Sequence, residues 1–164
     1  MALPLFISEI PIIKKLNINR LGLIIGSLLP DIIDKPILLI GLGSGRFLSH
    51  NLFFILIAFL ILFLFTKKNL RISIPFLAGL IIHLILDLPE VPIFYPLISY
   101  DFVLLEEPLF FWISKLLSDP VVIMTELIGV AILIFIVLNN KLYYWKNINL
   151  YLRGSHQTIL REEE

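Results

Sequence analysis

Cysteine is absent, which excludes disulfides, thiolate zinc sites and a cysteine nucleophile. Charge of one sign is also lacking: thirteen Lys and Arg face thirteen Asp and Glu, so no basic excess points to nucleic acid. Histidine is scarce, with three in 164 residues. Charged residues make up 16% of the chain, against about 25% in an ordinary soluble domain. A cleavable leader pattern is missing too. In "MALPLFISEIPIIKKLNINR" the positive charges follow the apolar part, and no small-residue cleavage site comes after them. What fills the chain instead is apolar sequence, at 59% hydrophobic residues and a mean hydropathy of +0.97. The composition is that of an integral membrane protein with one domain.

A membrane helix needs roughly 20 apolar residues. Four segments meet or approach that length: 21–42, 49–65, 72–88 and 121–138. The stretch "PLFFWISKLLS", 108–118, is shorter, carries Trp112 and Lys115, and reads as an interfacial helix. The expected fold is therefore all-α: a polytopic membrane helix bundle of about four transmembrane helices plus a short interfacial helix. "GLGSGR", 41–46, reads as the turn between the first two spans, and "LPEVPIFYP", 88–96, as a proline-punctuated loop. Residues 1–145 form the membrane-embedded domain in this reading, and 146–164, ending in "REEE", a polar tail. "RGSH", 153–156, resembles vector-derived sequence, so His156 is set aside. Lys and Arg cluster at 14–20, 67–71 and 141–146. Placing those clusters on the cytoplasmic side puts both termini inside and the turn at 41–48 outside.

Six ionisable residues interrupt the apolar segments: Asp31, Asp34, His50, His83, Asp87 and Glu126. Such residues are costly in hydrocarbon and commonly face a bundle interior. Counted at 1.5 Å per residue from the cytoplasmic end of each helix, they all lie about 16–25 Å up, in one outer layer. Asp31 and Asp34 are i and i+3, and His83 and Asp87 are i and i+4, so each pair shares a helix face. Gly79 lies on the face of His83 and leaves room for a neighbouring helix. Pro30, just before the aspartates, removes a helix hydrogen bond.

Each feature has a plainer explanation. An H-x3-D pair is most often a buried hydrogen-bonded couple, paired aspartates can cap a broken helix, and His50 can sit at a helix start. Glu126 can pair with Lys115 or Arg46, and Lys35 reads as an ion-pair partner. Their shared depth favours a common metal site. Histidine and carboxylate without sulfur suit zinc, with manganese or iron as alternatives. Four carboxylates with two neutral histidines would be balanced by two divalent cations.

"GSLLPDIID", "GRFLSHN" and "GLIIHLILD" resemble, in order, three signature blocks of the YdjM-like family of membrane-bound, metal-dependent hydrolases. The resemblance covers roughly residues 22–90. The family's metal pattern is in turn similar to that of zinc-dependent phospholipase C, with an early Asp, a His some fifteen residues on, a later H-x3-D and a further acidic ligand. This implies Asp34, His50, His83 and Asp87 as ligands, with Glu126 as the equivalent of the last one. The family's N-terminal histidine has no counterpart; Asn17 and Asn19 stand there. The second block usually begins with a histidine, and Gly45 and Arg46 stand near that place.

The expected chemistry is metal-assisted hydrolysis of a phosphate ester, lipid-linked or small and phosphorylated, by one or two divalent ions. Asp31 is a fifth ligand or orients a histidine. Glu126 is a ligand or general base, and Arg46 holds a phosphate oxygen. The expected partners are the lipid bilayer and that substrate, not nucleic acid. A divalent-cation transporter or a non-catalytic metal-binding membrane protein is the alternative. No polar groups continue through 54–65 or 130–138, which favours a closed pocket over a conduction path.

Overall fold

The computed structural model describes residues 2–40, 45–101 and 108–154. Residues 41–44 of the predicted turn and the end of the tail, with His156 and "REEE", lie outside that range. Among the described residues every regular element is an α-helix. In chain order these are α1 (Ala2–Glu9), α2 (Pro11–Lys14), α3 (Arg20–Leu39), α4 (Leu52–Phe65), α5 (Leu70–Leu86), α6 (Pro108–Ser118), α7 (Pro120–Asn139) and α8 (Trp145–Arg153).

The helix starts are written in the sequence as side chains that can accept from free N-terminal amides. Asn19 Oδ1 accepts from Gly22 N at 2.8 Å, and Asn51 Oδ1 from Phe54 N at 2.8 Å. Asn69 accepts from Arg71 N at 3.1 Å, and Asp119 from Val121 N at 2.9 Å, where Pro120 pre-sets the first turn of α7.

The scaffold of the molecule is the α3–α5 pair. Gly22 and Gly26 on α3 and Gly79 on α5 let the two backbones touch. A β-carbon at Gly26 would stand 2.1 Å from the Phe76 carbonyl oxygen, and one at Gly79 would stand 2.3 Å from that of Leu23. α4 lies on the other side of α5, around Ile55, Ala58, Phe76, Leu80 and Leu84. At the opposite end, Leu5, Leu23, Ile136 and Tyr151 form a second core joining α1, α3, α7 and α8.

That second core is pinned by a buried charge. Arg20 donates from Nε to Ser8 Oγ at 3.1 Å, pairs through Nη2 with Glu9 Oε1 at 3.1 Å, and lies over the Tyr151 ring at 4.3 Å. Lys14 Nζ reaches Glu9 Oε2 at 2.7 Å. Burial works against the Glu9 charge, but the Lys14 hydrogen bond and the Arg20 guanidinium outweigh it and hold the carboxyl below its ordinary value.

Two expectations change. Four spanning segments were expected; among the described residues only α7 is both long and apolar enough to cross a membrane. α3 has 20 residues but carries Arg20, Asp31, Asp34 and Lys35, while α4 and α5 have 14 and 17 residues. The reason is local. The predicted second span starts at 49, but residues 45–51 turn inward and Asn51 caps α4, so one helical turn is given up to deliver His50. The polar tail is the second change. Residues 145–153 fold as α8, and Tyr151, 2% exposed, docks on Arg20.

Candidate metal centre

Three elements converge at the C-terminal end of α5. α3 supplies Asp31 and Asp34, the bend at 45–51 supplies Arg46 and His50, and α5 supplies His83 and its C-cap, Asp87. The bend is held on α3 by a serine and a carboxylate. Ser49 Oγ donates to the Pro30 carbonyl at 2.8 Å. Asp34 Oδ2 accepts from Phe47 N at 2.7 Å and from Ser49 N at 3.1 Å. From the far side, Phe47 meets Tyr95 of the loop after α5 at 4.3 Å between ring centres.

The same Asp34 Oδ2 accepts from His50 Nδ1 at 2.8 Å. An ionised carboxylate can only accept, so Nδ1 carries a proton, and in the neutral ring the lone pair of His50 is on Nε2. That nitrogen looks into a cluster: His83 Nε2 at 3.1 Å, Asp87 Oδ2 at 3.2 Å and Asp31 Oδ1 at 3.8 Å. His83 Nε2 and Asp87 Oδ2 are 3.3 Å apart. Two imidazole nitrogens this close need a proton or a cation between them. Asp31, His50 and His83 have the mutual spacing of a group that can hold a metal ion.

The outward oxygens of the two rim carboxylates are occupied by cations. Lys35 Nζ is 3.0 Å from Asp31 Oδ2, and Arg46 Nη2 is 3.5 Å from Asp87 Oδ1. Arg46 also pairs with Glu90. Each rim carboxylate is thereby turned so that its other oxygen faces the histidines. His50 is fully buried, His83 nearly so, and Asp31 is the most open of the four at 28%.

Five of the six predicted residues therefore meet, in roles partly different from those expected. Asp34, expected to be a ligand, sits behind His50 on the other ring nitrogen. Asp31, expected as a fifth ligand or as the residue orienting a histidine, stands on the inward side. Arg46 is tied to Asp87 and Glu90 rather than left open for a substrate. Glu126 is not brought in. It is exposed on α7, which packs mainly on α1 and α6, away from the cluster. Lys35 is the ion-pair partner expected of it, and Glu90 was not foreseen. Its signal was the "DLPE" spacing, which returns a second carboxylate to the end of α5.

Replacing Asp34 by Asn keeps the shape but lets the amide donate as well as accept, so Nδ1 no longer has to carry the proton. Partners that hold a ligating histidine in this way are typically worth about 10–100-fold in metal affinity. Asp34→Asn is therefore expected to weaken divalent-metal binding at this cluster by roughly that factor in a competition titration with a chelator. An unchanged affinity would remove Asp34 from this role.

The family model described as YdjM inner membrane protein matches residues 1–151. No curated protein and no solved structure matches the chain.

Proposed function

The chain belongs to the YdjM inner membrane protein family, and from that premise we propose that it is a membrane-embedded, metal-dependent hydrolase acting on a phosphate ester. Asp31, His50, His83 and Asp87 would hold a divalent ion, with zinc first and manganese or iron as alternatives. The observation that carries this reading is the spacing of the four inward atoms. His50 Nε2, His83 Nε2 and Asp87 Oδ2 stand 3.1–3.3 Å from one another, and Asp31 Oδ1 stands 3.8 Å from His50 Nε2. Ligands bonded at about 2.0–2.1 Å around a tetrahedral zinc stand roughly 3.3 Å apart. The donor set also fits: two nitrogens and two oxygens, without sulfur, with the histidine tautomer fixed by Asp34. Four inward atoms suit one ion better than two. Asp31, Asp34 and Asp87 are partly offset by Lys35 and Arg46, so less charge is left to neutralise than the sequence count suggested.

A divalent ion held here would polarise the bond to be cleaved and lower the pKa of a water that joins it to near 7, which needs a coordination place beyond the four side chains. The remaining work falls to the chain's own groups. Asp34 keeps the proton on His50 Nδ1. Asp31, the most solvent-open of the four, would present Oδ1 to the ion, and its Oδ2 is held by Lys35. Arg46 and Lys35 are half-exposed at the rim, where their charge attracts an anionic phosphate while their own hydrogen bonds go to Asp87, Glu90 and Asp31.

A bilayer setting is supported by what the helices leave uncovered. α4 exposes Phe53, Leu56, Leu60, Ile61 and Leu64, and the apolar window of α7 is only 6% buried. In this reading α3, α4, α5 and α7 all lie in the bilayer, the shorter ones completed by the loops at their ends. The Lys and Arg clusters and both termini are then cytoplasmic, and the metal centre is near the outer face. A lipid-linked ester follows from that position.

The test is hydrolysis of phosphodiester and phosphomonoester lipid analogues by the purified chain loaded with zinc, manganese or iron. Turnover that is lost on chelation is the expected result. A retained ion with no turnover on either class would overturn the hydrolase reading in favour of transport or metal storage.

A further inference from the structure

α5 also borders a second feature, on a stretch that runs from the start of the helix to Ile82. Here α1, α3, α5 and the end of α8 enclose a cleft of about 1000 Å3. Pockets for sizeable organic ligands span about 300–1,000 Å3. Leu23, Ile74, Ala78 and Ile82 line it, and so do Arg71 and Arg153. Among the described residues the lining contains no carboxylate. Both arginines are exposed and have no ion pair among the described residues.

Local structure puts the second arginine there. Gly154 ends α8 in the left-handed conformation at φ 79°. It lies so close to 17–18 that a β-carbon would stand 2.4 Å from the Asn17 carbonyl oxygen. Arg153, the residue before Gly154, lines the cleft. Asn19 and Asn69 use their side-chain oxygens as helix caps, and their amide N–H groups find no protein acceptor among the described residues. The cleft therefore offers apolar side chains along α5 together with two guanidiniums and two amide donors, and no carboxylate among the described residues of its lining.

We propose that this cleft binds one anionic phospholipid. The headgroup phosphate is held between Arg71 and Arg153, and acyl chain lies along Leu23, Ile74, Ala78 and Ile82. A soluble phosphate would satisfy the arginines but leave the apolar walls uncovered. A zwitterionic lipid would bring its own ammonium against two guanidiniums. Basic pockets between membrane helices are suited to anionic headgroups for this reason. The site is independent of the metal centre.

The purified full-length chain in neutral detergent is incubated with phosphatidylglycerol or phosphatidylcholine, and retained lipid is read by native mass spectrometry. Phosphatidylglycerol should be retained preferentially. The double variant Arg71→Gln, Arg153→Gln should lower its retention roughly thirtyfold and leave phosphatidylcholine unchanged. Arg71→Lys with Arg153→Lys should restore most of the binding, whereas Lys146→Gln, outside the cleft, should change nothing. Both arginines are exposed, so the melting temperature and metal content of the variants should match the parent. Equal retention of the two lipids, or retention unchanged in the glutamine pair, overturns the proposal. A truncated chain lacking 155–164 should bind as the parent does. A marked rise on truncation would mean that the acidic C-terminal sequence occupies the cleft instead, which also overturns it.

Discussion

Replacing His83 with alanine is expected to reduce bound divalent metal from about one ion per chain to a trace, a larger loss than the 10–100-fold that follows when an outer partner is removed. The physical case is one of coordination number. Removing one imidazole from two nitrogens and two oxygens leaves three donors on one side of the ion, with both carboxylates still drawn outward by Lys35 and Arg46. The fold should survive, because His83 contributes little to the α5 core, which rests on Phe76, Leu80 and Leu84. Metal content by elemental analysis, paired with helical circular dichroism, reads the two effects separately. Asp87→Asn provides a second variant of unchanged shape and should lose metal in the same way. If the parent binds no divalent ion, or if His83→Ala keeps it, the 3.1 Å approach of His50 and His83 is a hydrogen bond between two imidazoles, and the hydrolase reading falls with the metal.

Much of this centre was legible because its chemistry is expensive where it stands. Carboxylates and imidazoles in apolar helices have few explanations, and helical spacing already placed His83 with Asp87 and Asp31 with Asp34. Division of labour between the two aspartates was not legible. Both lie on one face of α3, and which of them meets Nδ1 and which Nε2 depends on the rotation of the His50 ring. Ser49 and the amides of 47 and 49 set that rotation, in a segment expected to be partly helical.

Glu126 shows the limit of arguing from depth. Its height along α7 matched the others, but depth along a helix says nothing about which neighbour that helix packs on. α7 is apolar all round, so its sequence carries no stripe to choose a partner. The Glu9–Arg20–Tyr151 cluster was missed for the opposite reason. Arg20 was read as a flanking cytoplasmic charge, which its sequence position suits, although it is 2% exposed. Its signal was the matching acid: Glu9 interrupts an apolar N-terminal run with no other evident purpose.

Gly79→Ala is expected to be among the most destabilising single substitutions in the chain, although alanine is the best helix former and glycine among the worst. In an open helix the exchange gains about 1 kcal/mol. Gly129 offers that comparison: a β-carbon there would meet only Ala2 Cβ, at 3.8 Å, and Gly129→Ala should be neutral or slightly stabilising. At Gly79 the new methyl would lie 2.3 Å from the Leu23 carbonyl oxygen and 2.8 Å from Ser27 N. Both are backbone atoms, which cannot rotate away, so α3 and α5 must move apart along their whole contact. Overpacking of this kind costs roughly 1–3 kcal/mol and more where the backbone has to shift, so a net loss of about 3 kcal/mol is expected. The consequence reaches the metal centre, because Asp31 is carried by α3 and His83 by α5, and their mutual spacing is the spacing of those two helices. A lowered melting temperature together with weakened metal binding is therefore the expected pair of results. A Gly79→Ala protein that melts with the parent would mean that the two helices are not locked by this contact. The ligand geometry would then have to be maintained by the 45–51 bend alone.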